Sequence, residues 1–204
     1  MITELSAFAV LAFVSCITPG PNNALAAATA ARFGGSAGLA LAFGVTAGCT
    51  ALVVLAAFGV AGALAATPWL SRALAFASAA YLVWLAWRLL RSDAGTRRDA
   101  ARPPRFVEAV LFQFVNPKAW AIALAGTTLV LASGDAYGWR LAAMCAIEIV
   151  ICFASVMAWV ALGARLQHWL GDARHRRAFN AVMAASLAAC ALATLASAFP
   201  HSSV

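Results

Sequence analysis

The chain has 204 residues, of which 64% are hydrophobic and 10% are charged, and its formal net charge is +7. A soluble domain of this length cannot hide so much apolar surface in one core, so the composition excludes ordinary soluble proteins. The positive charge does not indicate a nucleic-acid partner, because membrane proteins carry an excess of arginine in their cytoplasmic loops.

Long uncharged runs predict a polytopic membrane protein. Residues 5–31, 33–71 and 178–200 form runs of 27, 39 and 23 residues without a charge. About 20 apolar residues cross the hydrocarbon core as a helix. We therefore expect an all-α integral membrane protein, with residues 1–204 forming one transmembrane domain in contact with lipid. The six predicted helices cover residues 5–31, 37–66, 69–90, 106–133, 139–164 and 178–199.

The first predicted span is interrupted at its middle by the sequence TPGPNN, residues 18–23. Proline lacks a backbone N–H and clashes with the preceding turn, and glycine adds backbone freedom, so the helix should break here. A cleaved signal peptide is the alternative, because Ala24-Leu25-Ala26 resembles a cleavage site. No Lys or Arg precedes the apolar run and a Pro-Gly-Pro block is unusual in such a peptide, so we expect a retained span.

Spans two and three lead into a polar stretch. Gly34-Gly35-Ser36 separates the first two spans, and Thr67-Pro68 resembles an N-cap followed by proline at the first helical position. Residues 93–105 are predicted to be a cytoplasmic linker. Its arginines could dock lipid or protein, but we interpret them as determinants of topology.

The fourth span contains a second break, in FVNPKAW at residues 114–120. When the sequence is offset against itself by 98 positions, Thr18 aligns with Asn116 and Pro19 with Pro117. Three spans per half would insert the second half upside down. We therefore predict two inverted three-helix repeats, about 1–92 and 106–204, with helices 1 and 4 broken at proline motifs. Matching breaks in two halves indicate a transporter site, although ordinary proline kinks are the alternative.

Each break is predicted to start a new half-helix, with Thr18 or Asn116 as the N-cap and proline next. The free N–H groups and positive dipole ends would meet near the bilayer centre, where they suit an anion such as a carboxylate. Asn22 and Asn23 would add neutral donors and acceptors. The predicted substrate-binding residues are Thr18, Pro19, Gly20, Pro21, Asn22, Asn23, Asn116, Pro117 and Lys118.

Two charges lie deep within predicted spans. Lys118 is 12 residues into its span, where a charge costs at least ~2.5 kcal/mol, so we expect it to face a cavity or a partner rather than snorkel. Glu148 could accept a proton, pair with Lys118 or bind a substrate ammonium. It could also be kept protonated and inert by desolvation.

Five cysteines lie in apolar segments, and none forms a C-x-x-C pair. We therefore expect no disulfide framework, no metal site and no cofactor, and interpret these cysteines as small buried apolar side chains. They are Cys16, Cys49, Cys145, Cys152 and Cys190.

The distribution of arginine predicts the orientation. With six spans, Arg72 and Arg140 fall on the face that carries both termini. The opposite face carries eleven arginines and should be cytoplasmic, so both termini should be periplasmic. Those eleven are Arg32, Arg88, Arg91, Arg97, Arg98, Arg102, Arg105, Arg165, Arg174, Arg176 and Arg177. Tryptophans near span ends are interpreted as an interfacial belt: Trp69, Trp84, Trp87, Trp139, Trp159 and Trp169.

With TPGPNN in the first span and FVNPKAW in the fourth, the chain resembles the lysine exporter (LysE/RhtB) family of amino-acid export proteins. The resemblance covers essentially the whole chain, including AAYLVWLAWRLLRS (79–92), where Ala80 and Ala86 replace glycines common in the family. It implies a carrier of the bacterial inner membrane, not an enzyme, that expels amino acids or derivatives using the proton motive force. Glu148 matches no family motif.

Two rival functions belong to other classes. Cys16 two residues before Thr18-Pro19 is similar to the arrangement in membrane thiol-disulfide electron carriers of a related fold, which need a second cysteine such as Cys145 or Cys152. A metal-cation exporter of the same superfamily is the other rival, and the shortage of intramembrane ligands argues against it. Small residues in helices two and six would serve contacts within one chain or in a homodimer.

Overall fold

A computed structural model describes residues 2–60, 63, 66–91, 102–131, 136–166 and 169–198. These residues contain eight α-helices and a short 3₁₀ helix, and they contain no β-strand. The elements are α1 (Ile2–Ile17), α2 (Pro21–Phe33), α3 (Gly35–Ala57), α4 (Pro68–Arg91), α5 (Phe106–Phe114), α6 (Pro117–Leu131), α7 (Tyr137–Leu166), the 3₁₀ helix Trp169–Gly171 and α8 (Ala173–Ala198).

Four of these helices, α3, α4, α7 and α8, are long and apolar enough to cross a membrane. Two further spans arise if each bent pair is counted as one: α1 with α2 meets at 49°, and α5 with α6 meets at 66°. The predicted class, an all-α multi-pass membrane protein, is confirmed, and both bends occur at the predicted proline motifs.

Helix α7 is at the centre of the packing and contacts α1, α2 and α3, while α3 also contacts α5 and α6. Helices α4 and α8 pack against each other beside this group. The fully buried core contains Phe8, Leu41, Leu52, Met144 and Val156. Both bent pairs are therefore held against the long helices α3 and α7.

Glycines allow the closest helix approaches. A methyl group added at Gly48 of α3 would lie 2.6 Å from Cγ of Gln113 and 2.9 Å from the Val110 carbonyl oxygen. At Gly163 of α7 it would overlap the backbone of Ala27 in α2. Small residues are what bring helices together in lipid, where no hydrophobic effect drives association.

Large apolar side chains are exposed all around the helices. Examples are Phe13, Val83, Leu111, Val150 and Leu192, each more than half exposed. In water such a surface would be unusual, but hydrocarbon is its matching solvent. The outer surface therefore agrees with the apolar helices in assigning the protein to a membrane.

Two predicted boundaries are wrong. Helix two was expected to reach residue 66, but α3 ends at Ala57 because Gly59 adopts a positive φ of 84° that terminates the helix. Helix six was expected to begin at residue 178, but α8 begins at Ala173, where the Asp172 carboxylate accepts the Arg174 N–H at 2.7 Å and caps the helix. Most of the predicted linker 93–105 lies outside the described residues.

Candidate functional site

The first break differs in detail from its prediction. Helix α2 begins at Pro21 with the extended residue Gly20 as its N-cap, so the predicted N-cap role of Thr18 and the placing of Pro19 at the first helical position are wrong. Thr18 instead ends the preceding helix, and its hydroxyl donates to the Ser15 carbonyl at 3.1 Å. Glycine is a good N-cap and Pro21 has no N–H to lose, which explains the later start.

Side chains satisfy the carbonyl groups that the break leaves at the end of α1. The Asn23 amide donates to the carbonyls of Cys16 at 2.8 Å and Thr18 at 2.7 Å. The indole N–H of Trp159 donates to the Ile17 carbonyl at 3.0 Å. Unpaired carbonyls are costly in hydrocarbon, so these bonds make the break sustainable. Asn23 is 3% exposed, and its side-chain amide donates to these two backbone carbonyls.

The second break follows its prediction closely. Helix α6 begins at Pro117, and the Asn116 side-chain oxygen accepts the N–H of Lys118 at 3.2 Å, so the predicted N-cap is confirmed. The Asn116 carbonyl accepts the N–H groups of Ala119 at 3.1 Å and Trp120 at 3.3 Å. The positive end of α6 is thus largely occupied by Asn116 itself. In α2 the first N–H group that bonds within the helix is that of Ala24, which donates to the Gly20 carbonyl. The N–H groups of Asn22 and Asn23 precede it and have no acceptor within the helix.

An amide pair joins the two breaks. Asn22 and Gln113 each donate to the other's side-chain oxygen at 3.0 Å, and Asn116 donates to the same Gln113 oxygen at 3.1 Å. Gln113 is fully buried and also donates to the Ala109 carbonyl at 3.0 Å. This network fixes α2 against the end of α5.

Lys118 provides the second connection between the breaks. Its Nζ donates to the Thr18 hydroxyl at 2.8 Å and lies 3.5 Å from the Thr18 carbonyl oxygen. Arg102 pairs with Glu108 and Arg140 pairs with Glu4, whereas no carboxylate among the described residues pairs with Lys118. The ammonium group therefore rests on neutral oxygens at the C-terminus of α1 and keeps hydrogen-bonding capacity for an anion.

A cavity of about 30 Å³ lies between the breaks. Six predicted site residues line it: Gly20, Pro21, Asn22, Asn23, Asn116 and Lys118. The predicted residues Thr18, Pro19 and Pro117 are not among its described lining residues. A cavity of this size holds little more than a water molecule. An amino acid would need the two breaks to separate.

Glu148 lies apart from Lys118 and next to two cysteines. A carboxylate oxygen of Glu148 and the Sγ atoms of Cys16 and Cys152 all lie within 4.8 Å of one another. Glu148 is 2% exposed, and of its two oxygens Oε2 has no hydrogen-bond partner among the described residues. Cys16 and Cys152 also line the cavity, so this cluster borders the space between the breaks.

Sequence reasoning missed the roles of Gln113 and Trp159. It offered Cys152 as one of two possible partners for Cys16 but missed that Glu148 lies beside both. Gln113 is the polar residue in the otherwise apolar run AVLFQFV, residues 109–115. An isolated polar side chain inside a predicted span could have indicated a buried hydrogen bond. Trp159 was assigned to the interfacial belt, but its indole bonds the broken end of α1. The cysteines carry no local spacing signal because α1, α3 and α7 bring them together only by packing.

Broken helices that meet across a small cavity bordered by asparagines and a lysine, inside a bundle of apolar helices, are typical of a membrane transporter. The family model for LysE type translocators matches residues 13–197. The chain belongs to the LysE type translocator family, which agrees with the resemblance in its sequence.

Curated relatives cover nearly the whole chain. It is 31% identical over 192 residues to the "Cysteine/O-acetylserine efflux protein" of Escherichia coli strain K12, covering 93% of this chain and 96% of that protein. It is 30% identical over 190 residues to the protein of the same name from Salmonella typhi, covering 92% and 95%. No solved structure matches the chain.

Proposed function

We propose that the protein is a secondary transporter that exports small amino acids or close derivatives across the bacterial inner membrane, coupled to the proton motive force. Membership of a translocator family and the efflux names of its relatives support export. Those names make cysteine and O-acetylserine the first substrates to test. Both are small and zwitterionic, which fits a site bordered by one cation and several amides.

The observation that carries this proposal is the meeting of the two breaks through Lys118 and Thr18 at 2.8 Å. Residues from both halves of the chain thereby line one cavity. The ammonium group of Lys118, which lines this cavity, has no carboxylate partner among the described residues. A substrate carboxylate would take the ammonium of Lys118 and the free N–H groups of Asn22 and Asn23 at the start of α2.

The substrate ammonium requires acceptors, and the other side of the cavity offers them. Glu148 has an oxygen without a partner among the described residues, and the Asn22 side-chain oxygen and the carbonyls of the first break could each accept one bond beyond those that they already accept. Glu148 is a suitable proton-coupling residue because it is buried, unpaired at Oε2 among the described residues, and close to the cavity-lining Cys16. Its protonation and the binding of an ammonium would compete for one carboxylate.

Transport by alternating access follows from the inverted repeats that we propose. In these repeats the pair α1 and α2 corresponds to α5 and α6, and α3 corresponds to α7. The contacts agree with this correspondence, because α1 and α2 pack on α7 as α5 and α6 pack on α3. The corresponding helices α3 and α7 contact each other, and so do the corresponding helices α4 and α8. Rocking one half against the other would separate Lys118 from Thr18 and open the cavity.

The test is efflux of radiolabelled cysteine or O-acetylserine from preloaded cells at matched membrane levels. Lys118→Met should lower the rate about tenfold or more, the value of one lost charge-assisted hydrogen bond. Lys118→Arg should retain more activity, and Arg165→Met, which removes an exposed cation at the end of α7, should change little. A Lys118→Met variant that exports both compounds at the wild-type rate would retire the site.

A membrane thiol-disulfide carrier is the second candidate, since the Sγ atoms of Cys16 and Cys152 lie within 4.8 Å of each other. That chemistry would require both thiols. Undiminished efflux by a Cys16→Ser variant would dismiss it in favour of the exporter.

A further inference from the structure

Three side chains that can bind a metal ion, from two helices, lie close together beside the cavity between the breaks. Cys16 lies in the last turn of α1, and Glu148 and Cys152 lie four residues apart on one face of α7. One ligand atom from each is within 4.8 Å of the other two. Cys152 is 1% exposed and Glu148 is 2% exposed, so two of the three groups have little access to solvent.

We propose that Cys16, Cys152 and Glu148 form a binding site for a thiophilic divalent cation of the Zn²⁺ and Cd²⁺ class. Two thiolates and a carboxylate are a ligand set that such d¹⁰ ions accept. The site shares Glu148 with the proposed ammonium and proton contacts, so a bound metal ion would compete with them, but metal binding can be measured without export activity.

Geometry permits this site with a small adjustment. Zinc binds sulfur at about 2.3 Å and carboxylate oxygen at about 2.0–2.2 Å, so tetrahedral ligand atoms lie roughly 3.5–3.8 Å apart. The cluster must therefore contract by at most about 1.3 Å from its present separations, which are within 4.8 Å. Cys16 lies in the last turn of α1, next to the break, so its side chain can adjust without disturbing a helix interior.

Unsatisfied hydrogen bonding and charge both favour a cation. Oε2 of Glu148 has no donor among the described residues, and a buried carboxylate without a partner is costly. Metal binding would release the two thiol protons, and the two thiolates and one carboxylate would then carry three negative charges. A divalent ion together with Lys118, which lines the same cavity, balances them. Cys49 lines this cavity too and interacts with Cys152, so a fourth sulfur is at hand.

Cd²⁺ is the probe, added to the purified, fully reduced chain in detergent, with binding followed by thiolate-to-cadmium ultraviolet absorbance and by calorimetry. The wild type should bind one equivalent through two thiolates. Cys16→Ser and Cys152→Ser should each weaken binding at least about tenfold and remove part of the absorbance. Glu148→Gln should weaken binding and keep the absorbance.

Matched controls are Cys145→Ser and Cys190→Ser, which remove cysteines outside the cluster and should bind as the wild type does. Free-thiol counting before each titration excludes disulfide formation, and the elution profile in detergent verifies folding. Cys16→Ser is the decisive variant, because its half-buried position beside the break makes misfolding least expected. Cadmium binding that survives in Cys16→Ser, or that the control variants lose equally, overturns the site, as does the absence of binding to wild type.

Discussion

Asn23 and Trp159 resolve the main cost of breaking a helix inside a bilayer. Their N–H groups take the carbonyls of three consecutive residues, 16–18, that a continuous helix would have bonded internally. Asn23 is therefore a positioning residue for the first break, and its amide hydrogens are not available to a substrate in this conformation. Of the contacts with substrate that were expected from Asn23, only one with its backbone N–H group is therefore kept in the proposal.

Removal of the Asn23 amide should destabilise the break. In Asn23→Ala the carbonyls of Cys16 and Thr18 lose their side-chain donor, at a cost of roughly 1–3 kcal/mol for buried groups left unpaired. Thermal unfolding in detergent should show a lower midpoint for this variant. Thr128→Ala is the control, because Thr128 is exposed and bonds only the Leu124 carbonyl of its own helix. Equal midpoints for both variants would contradict the capping role.

The Asn22–Gln113 amide pair should be energetically coupled across the two halves of the chain. A double-mutant cycle with Asn22→Ala, Gln113→Ala and the combined variant isolates that coupling from the packing that each side chain provides. We expect about 0.6–1.7 kcal/mol, the range of polar contacts between membrane helices. Additive losses of stability in the two single variants would mean that the pair does not hold the breaks together.

At the scale of helices, the contact between α3 and α5 depends on Gly48. An added methyl would meet Cγ of Gln113 and the Val110 carbonyl oxygen, and the backbone oxygen cannot move away cheaply. Gly48→Ala should therefore cost about 1–3 kcal/mol by overpacking and displace Gln113 from Asn22. Gly138→Ala has nothing within 4 Å and should be neutral in the same unfolding assay. A neutral Gly48→Ala would place the helices further apart than described.

Helix positions were largely predictable from sequence, because charge-free runs and proline motifs are local signals. The N-cap at Asn116 followed from local rules, but the start of α2 did not. Pro19 and Pro21 are equally good first helical residues, and the choice depends on Asn23 and Trp159 reaching back to α1. Cys152 was one of two partners offered for Cys16, but the position of Glu148 beside both could not be predicted, since it exists only once α7 has packed against α1.

Across the whole molecule, one of the two arginines on the predicted periplasmic face is engaged inside the protein. Arg140 is buried, and its guanidinium bonds the Glu4 carboxylate at 3.1 Å and the Val130 carbonyl at 2.8 Å. The number of Lys and Arg residues, rather than net charge, sets orientation, so the count of eleven arginines against two still predicts the same topology.

Both termini should consequently lie on the periplasmic side, and the segment 93–105 should be cytoplasmic. Alkaline phosphatase, which folds only in the periplasm, should be active when fused after Val204 and inactive when inserted in 93–105. Green fluorescent protein exported unfolded through the same membrane should give the opposite pattern. The matched control is the Arg140→Gln chain, whose fusions should report the same topology, because the eleven opposing arginines are untouched. A fluorescent C-terminal fusion would contradict the predicted orientation.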